Sequence, residues 1–148
     1  GNLCVVVRYP TRDGAGLVMA IETAMGMAGL HPHDTQAFCA HGTGTLFNDS
    51  MELAAIEAVF GDRRFPVFSI KGAVGHTLGA AGGIDAAICA HALACKRIPP
   101  TVGLQTPESK AAGRVSHQAQ AFDGRNILTS NSGFGGVNAA LVLHAVPT

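Results

Sequence analysis

Three times along this chain a short apolar run is followed by a glycine-bearing break and then by apolar residues at helical spacing. The runs are "LCVVVRY" (3–9), "TQAFCA" (35–40) and "FPVFSI" (65–70). Runs of that length, rich in valine and phenylalanine and bounded by breakers, suit buried strands. The stretches "AGLVMAIETAMGMAGL" (15–30), "DSMELAAIEAVF" (49–60) and "LGAAGGIDAAICAHALAC" (78–95) suit helices. Gly61 stands in the usual stop position of the second, and Pro99 and Pro100 forbid the third from continuing. Residues 101–126 predict an extended loop with short strand pieces. Two last strand-like runs, "NILTSNS" (126–132) and "NAALVLH" (138–144), flank "GFGGV". Strands alternating with helices and closing in a strand pair predict an α/β fold with a mixed sheet between helical layers. The 148 residues hold no linker and no internal repeat, so 1–148 reads as one domain.

Several function classes drop out. Ten basic residues balance ten acidic ones without a basic run, so nothing recruits nucleic acid electrostatically. Residues 78–95 are nearly long enough to span a bilayer, but Asp85, His91 and three glycines interrupt them. They predict a buried central helix and no membrane partner. Cys4, Cys39, Cys89 and Cys95 form no CxxC pair and sit in apolar surroundings, which predicts reduced core thiols in a reducing, cytoplasmic setting. There is no HExxH and no Cys/His cluster at ligand spacing, so no metal is expected. "GAVGHTLGAAGG" lacks the Gly-Lys-Ser/Thr ending of a phosphate loop and the glycine spacing of a dinucleotide site. No cofactor is expected. The amino end, "GNLCVVVRYP", shows no signal-peptide pattern and opens in a strand-like run, as if cut within a fold.

The chemistry concentrates in two loops. "HGTGT" (41–45) and "KGAVGHTLGAAG" (71–82) each place a histidine after a predicted strand, beside glycines and ahead of a helix. Ligands gather at strand ends in layered α/β folds, so His41 and His76 are expected to face one pocket. Paired imidazole donors would suit a reaction that builds negative charge on a carbonyl oxygen, such as an enolate. Lys71, five residues before His76, would set the charge there. The alternative is a pair of structural histidines at tight turns. Asp49 with Glu52 three residues on reads as a helix-capping pair. Asp85 inside an apolar helix needs a partner. "NSGFGGV" (131–137) reads as a flexible hairpin connection whose glycines let Phe134 swing.

Taken together, "AHGTGT…ND..E", "SIKGAVGHTLGAAG", "IPPT" and "NSGFGG" resemble, in order and spacing, the β-ketoacyl synthases of the thiolase superfamily. The resemblance covers essentially the whole chain and matches the carboxy-terminal half of that family's catalytic unit. It implies a thiolase-like layered α/β/α half with a mixed sheet. It also implies that His41 and His76 bind a thioester carbonyl and promote decarboxylation of a malonyl group. Lys71 resembles the lysine that supports them, Glu52 the acid held near it, and Asp49 a structural neighbour. Thr43 and Thr45 would shape the carbonyl hole, and Phe134 resembles the phenylalanine gating the acyl pocket. The enolate would then attack an acyl group carried on cysteine. That cysteine lies in the family's amino-terminal half, and none of the four cysteines here has its setting.

The implied partners are acyl carrier protein or coenzyme A thioesters, the missing amino-terminal half, and a second copy in a homo-oligomer. Small and apolar residues nearly all round 77–95 predict a helix buried on every side, left uncovered in an isolated half. Two other readings stay open: a half-domain that binds carrier protein or a thiolase-like partner without condensing, and a malonyl-thioester decarboxylase, which needs no nucleophile. Three departures stand out. The glycine loop is one residue shorter than the family's Asn-Ser-Phe-Gly-Phe-Gly-Gly, Leu46 replaces a common proline, and Ile70 precedes the lysine where threonine or valine is common.

Overall fold

Side-chain alternation along the central strands sends neighbouring residues into two different cores. In the computed structural model, which describes residues 3–8 and 13–146 with side chains from 13 onward, Phe38 on β2 (Ala37–Cys39) enters one core. Ala37 and Cys39 enter the other. On β6 (Asn126–Gly133) Leu128 and Ile127 divide in the same way, as do Val142 and Leu143 on β7 (Val137–His144). The first core is closed by α1 (Ala15–Met27) and α2 (Leu46–Phe60) through Leu17, Ile21, Ile56 and Phe60. The second is closed by α4 (Ala81–Cys95) through Cys89, Ala92 and Leu93. Helices therefore cover both faces of the sheet.

The sheet has five strands in the order β1-β7-β6-β2-β3, with β1 at Leu3–Arg8 and β3 at Val67–Phe68. β1, β7 and β6 run antiparallel to their neighbours, whereas β6, β2 and β3 pair in parallel. The mixed sheet is the one the sequence predicts. A second small sheet pairs β4 (Arg97–Ile98) with β5 (Gln120–Ala121). Residue 9, expected to end the first strand, lies outside the described residues, as does the side chain of Cys4.

Several expected boundaries move, each for a local reason. α1 stops at Met27 rather than at 30 because Gly29 takes φ 68°. The amides of Gly29 and Leu30 then turn back onto the carbonyls of Gly26 and Met25, a Schellman closure. α2 starts at Leu46, so Asp49 lies inside the first turn and does not cap it. The extended residue before the helix is Thr45, whose hydroxyl meets that of Thr43 instead of the helix amides. A one-turn helix, α3 (Lys71–Val74), follows β3 and was not anticipated.

The run 78–95 opens with a 3-10 turn at Leu78–Ala80 before α4 begins. By length and composition Leu78–Cys95 is apolar enough to cross a bilayer. Within this chain it is not buried on every side: Ala81, Asp85, Cys89 and Ala92 face the sheet, while Gly82, Ala87, Ala90 and Ala94 are exposed. Cys39 and Cys89 are buried free thiols, but Cys95 is exposed, against expectation, where the last turn of α4 leaves the sheet.

Candidate active site

The parallel strand β2 delivers His41 just beyond the sheet edge, and one carboxylate fixes the chain there. Glu52 Oε1 accepts the His41 amide at 2.7 Å, and Oε2 accepts the Gly42 amide at 2.6 Å. Asn48, one turn earlier on α2, donates its side-chain amide to Oε2 at 2.8 Å. Burial pushes the Glu52 carboxyl up, against the pull of these three hydrogen bonds. Gly42 has φ 42°, and a Cβ on it would lie 2.6 Å from the Ser69 Cβ. Only glycine fits that approach. The Ser69 hydroxyl donates to the Gly42 carbonyl at 2.9 Å, sewing the loop after β2 to the loop after β3.

From Ser69 the chain enters α3 with Lys71 buried at its start, then reverses at Gly75, φ 77°. The reversal brings His76 onto His41, ring centroids 5.1 Å apart and planes at 81°. The two predicted histidine loops thus meet. His41 is buried and His76 exposed. His41 Nδ1 lies 3.1 Å from Asn131 Oδ1, and His76 Nδ1 accepts the Leu78 amide at 3.1 Å. Burial first, and the Lys71 charge second, hold the His41 imidazole below its ordinary range, so it is neutral near pH 7.

The acid at Lys71 is Asp85 rather than Glu52. Lys71 Nζ lies 3.4 Å from Asp85 Oδ2, with side chains 5% and 1% exposed. Both Glu52 oxygens are already committed to backbone amides, whereas Asp85 projects from the sheet-facing side of α4. The sequence signal was present: a carboxylate in an apolar helix requires a buried partner. Asn131 donates to the same Asp85 oxygen at 3.0 Å. Sequence reasoning missed its part in the cluster, because in "NSGFGGV" the glycines draw attention and an asparagine at a strand end reads as turn chemistry.

Of the remaining expected residues, Asp49, Thr43 and Thr45 border a cavity of about 750 Å³ that runs from Lys71 and Glu52 to residues 101–108. Neither imidazole lines it; the histidines stand beside it, joined to it through Gly42 and Lys71. Phe134 is not brought to the cluster. Gly135 and Gly136, both at φ 76°, turn the β6–β7 hairpin tightly and leave its ring wholly exposed. The Cys39 thiol is raised by its contact with Cys89 and by burial, which makes it a poor nucleophile. Among the described residues no group of three His, Cys, Asp or Glu side chains is placed to hold a metal ion.

A mixed sheet between helical layers, with two histidine loops leaving the ends of parallel strands, defines a thiolase-like α/β half. Residues 6–105 match the family described as "Beta-ketoacyl synthase, C-terminal domain". The chain belongs to that family. It is 41% identical over 136 residues to a Streptomyces halstedii protein assigned as polyketide beta-ketoacyl synthase 1, covering 90% of this chain and 32% of that protein. To 3-oxoacyl-[acyl-carrier-protein] synthase 2 of Staphylococcus aureus it is 38% identical over 139 residues, covering 92% of this chain and 34% of the relative. The solved ishigamide ketosynthase/chain length factor superposes with a TM-score of 0.91 at 31% identity, covering 97% of this chain and 37% of that one. The chain spans about a third of the length of the curated relatives it matches.

Proposed function

We propose that this chain supplies the two-histidine part of a β-ketoacyl synthase site, working with a cysteine-bearing segment outside it. A malonyl thioester loses carbon dioxide, and the electron pair of the broken C–C bond passes into an enolate whose oxygen takes hydrogen bonds from the imidazole side. The enolate carbon then bonds to the carbonyl carbon of an acyl group on cysteine, and the cysteine thiolate leaves. Donors held before the charge develops are the main catalytic device for such a step. The observation that carries this reading is the His41–His76 pair at 5.1 Å, each ring with Nδ1 already engaged and Nε2 left for substrate.

Lys71 sets the charge beside His41, Asp85 holds Lys71, and Glu52 fixes the backbone that carries His41. Thr43 and Thr45 line the cavity by which a thioester on acyl carrier protein or coenzyme A reaches the pair, with Asp49 as a neighbour in the wall. Phe134 acts as a gate only against a second segment, since here it touches nothing. The exposed small-residue face of α4 is the surface that an amino-terminal half, or a second copy, covers.

The test is reconstitution. Mixed with a cysteine-bearing amino-terminal ketosynthase segment, an acyl thioester and malonyl-carrier protein, the chain should give a β-ketoacyl product that is lost in His41→Ala and His76→Ala. A stable complex that makes no product, or product that survives both variants, would sink the proposal. A second reading, decarboxylation alone, a step that needs no nucleophile, is favoured by the assembly of both histidines within this one chain. Carbon dioxide release without the added segment would select it.

A further inference from the structure

We propose that Arg64, Lys110 and Arg114 form a binding site for a terminal phosphate, free or as a monoester, in a recess of about 210 Å³ beside the carboxy-terminal half of α2. That volume is below the roughly 300–1,000 Å³ of a pocket for a whole small molecule, so the recess takes a free ion or one end of a ligand. The three cations come from separate stretches of chain, and Ser109 adds a hydroxyl. Glu57 and Asp62 share the lining, so three cations against two carboxylates leave the recess net positive. Glu57 is already paired with Lys110.

The residue that points to a ligand is Arg114, which lines the recess and is only 6% exposed. Its Nη2 donates to the Gly61 carbonyl at 3.0 Å, but Nη1, also buried, meets no acceptor among the described residues. A guanidinium N–H left unmatched in a protein interior is costly, and its planar fork of donors fits phosphate oxygens. The fork is held in place from behind. The Arg114 carbonyl accepts the Val67 amide at 2.8 Å, tying it to β3, and Cζ stands 5.6 Å from the Phe65 ring centroid. Burial first, and the Arg64 charge second, hold the Arg114 guanidinium below its ordinary range, and an anion in the recess offsets both. Arg64 itself is exposed and commits only Nη1, to the Ala112 carbonyl at 2.8 Å. Because α2 and α4 cover opposite faces of the sheet, a partner seated on the small-residue face of α4 leaves this recess uncovered.

Binding is measurable without turnover, so this proposal stands or falls apart from the ketosynthase reading. The full 148-residue chain is titrated with inorganic phosphate by calorimetry, in a low-salt buffer near neutral pH. One phosphate should bind per chain. Arg64→Gln, an exposed change that leaves the buried fork in place, should weaken binding about tenfold, and Arg114→Gln should abolish it. Glu57→Gln removes a carboxylate and frees Lys110, so it should tighten binding about threefold. Arg125→Gln, the same loss of charge outside the recess, should bind as the parent does. Absence of saturable binding overturns the proposal even if Arg114→Gln does not fold, as does an Arg64→Gln protein with parental affinity, a Glu57→Gln protein that binds more weakly, or an equal loss in Arg125→Gln. Two competitors distinguish the source of the phosphate. Displacement by coenzyme A but not by dephospho-coenzyme A would assign the site to the terminal phosphate of a thioester carrier, and displacement by neither would assign it to free phosphate. Displacement by both alike would contradict a terminal-phosphate site.

Discussion

Lys71 Nζ and Asp85 Oδ2 stand 3.4 Å apart, one from the start of α3 and the other from the second turn of α4. Removing the acid alone strands a buried ammonium, a change that typically costs about 3–5 kcal/mol. Asp85→Ala should lower stability by that order in urea unfolding. Replacing both partners with apolar residues, Lys71→Met with Asp85→Leu, should recover most of the loss. Equal destabilisation by the single and double changes would show that the pair is not what holds this corner.

Close backbone approach makes a second test. A Cβ on Gly72 would lie 1.8 Å from the Val102 carbonyl oxygen, so Gly72→Ala must push α3 away from the turn at 101–103. Overpacking of this kind costs about 1–3 kcal/mol. Gly79 has open space and an ordinary φ, and Gly79→Ala should stay within about 0.5 kcal/mol of the parent. Thermal denaturation of the two variants side by side checks the contrast.

The pH dependence carries two opposed signs. Glu52 is raised in the folded chain by burial, so the unfolded chain gives up this proton first as pH rises. Its contribution is therefore fullest below its ordinary value of 4.5 and is lost as pH climbs toward the raised value. His41 is lowered, so its contribution is present above its ordinary 6.5 and is lost as pH falls toward the lowered value. Urea midpoints over about pH 4–8 should show the acid-side gain missing from Glu52→Gln and the acid-side loss missing from His41→Gln. A Glu52→Gln profile parallel to the parent's would place that carboxyl in water rather than under the His41 loop.

Phe134, fully exposed at its hairpin tip, should be indifferent to truncation. Phe134→Ala should change the melting free energy by no more than about 0.5 kcal/mol. A larger loss would mean that the ring packs on something in solution.

Much of this architecture was legible in the chain. Period-two runs such as "TQAFCA" announce a strand with residues for both faces, and Phe38 and Cys39 enter opposite cores accordingly. The meeting of His41 and His76 was legible because both follow strands that turn out to be parallel neighbours. Partner choice was not. Asp49 and Glu52 have the spacing of a cap, yet Thr45 enters the helix earlier and Glu52 is drawn to the His41 and Gly42 amides. Helical period alone could not show which side of α4 meets the sheet, because its residues are small nearly all round. The Asn131 bridge joins β6, α4 and the loop after β2, and no local pattern encodes so distant a contact.

The central claim, that the two imidazoles drive loss of carbon dioxide from a malonyl thioester, is tested most directly by its isotope-labelled release. The measurement uses the chain assembled with a cysteine-bearing amino-terminal ketosynthase segment. His41→Ala and His76→Ala should each slow release by about 10²–10³-fold, the usual effect of deleting one charge-stabilising donor or its partner group, while acylation of the segment's cysteine persists. Undiminished carbon dioxide release from either folded variant would contradict the account.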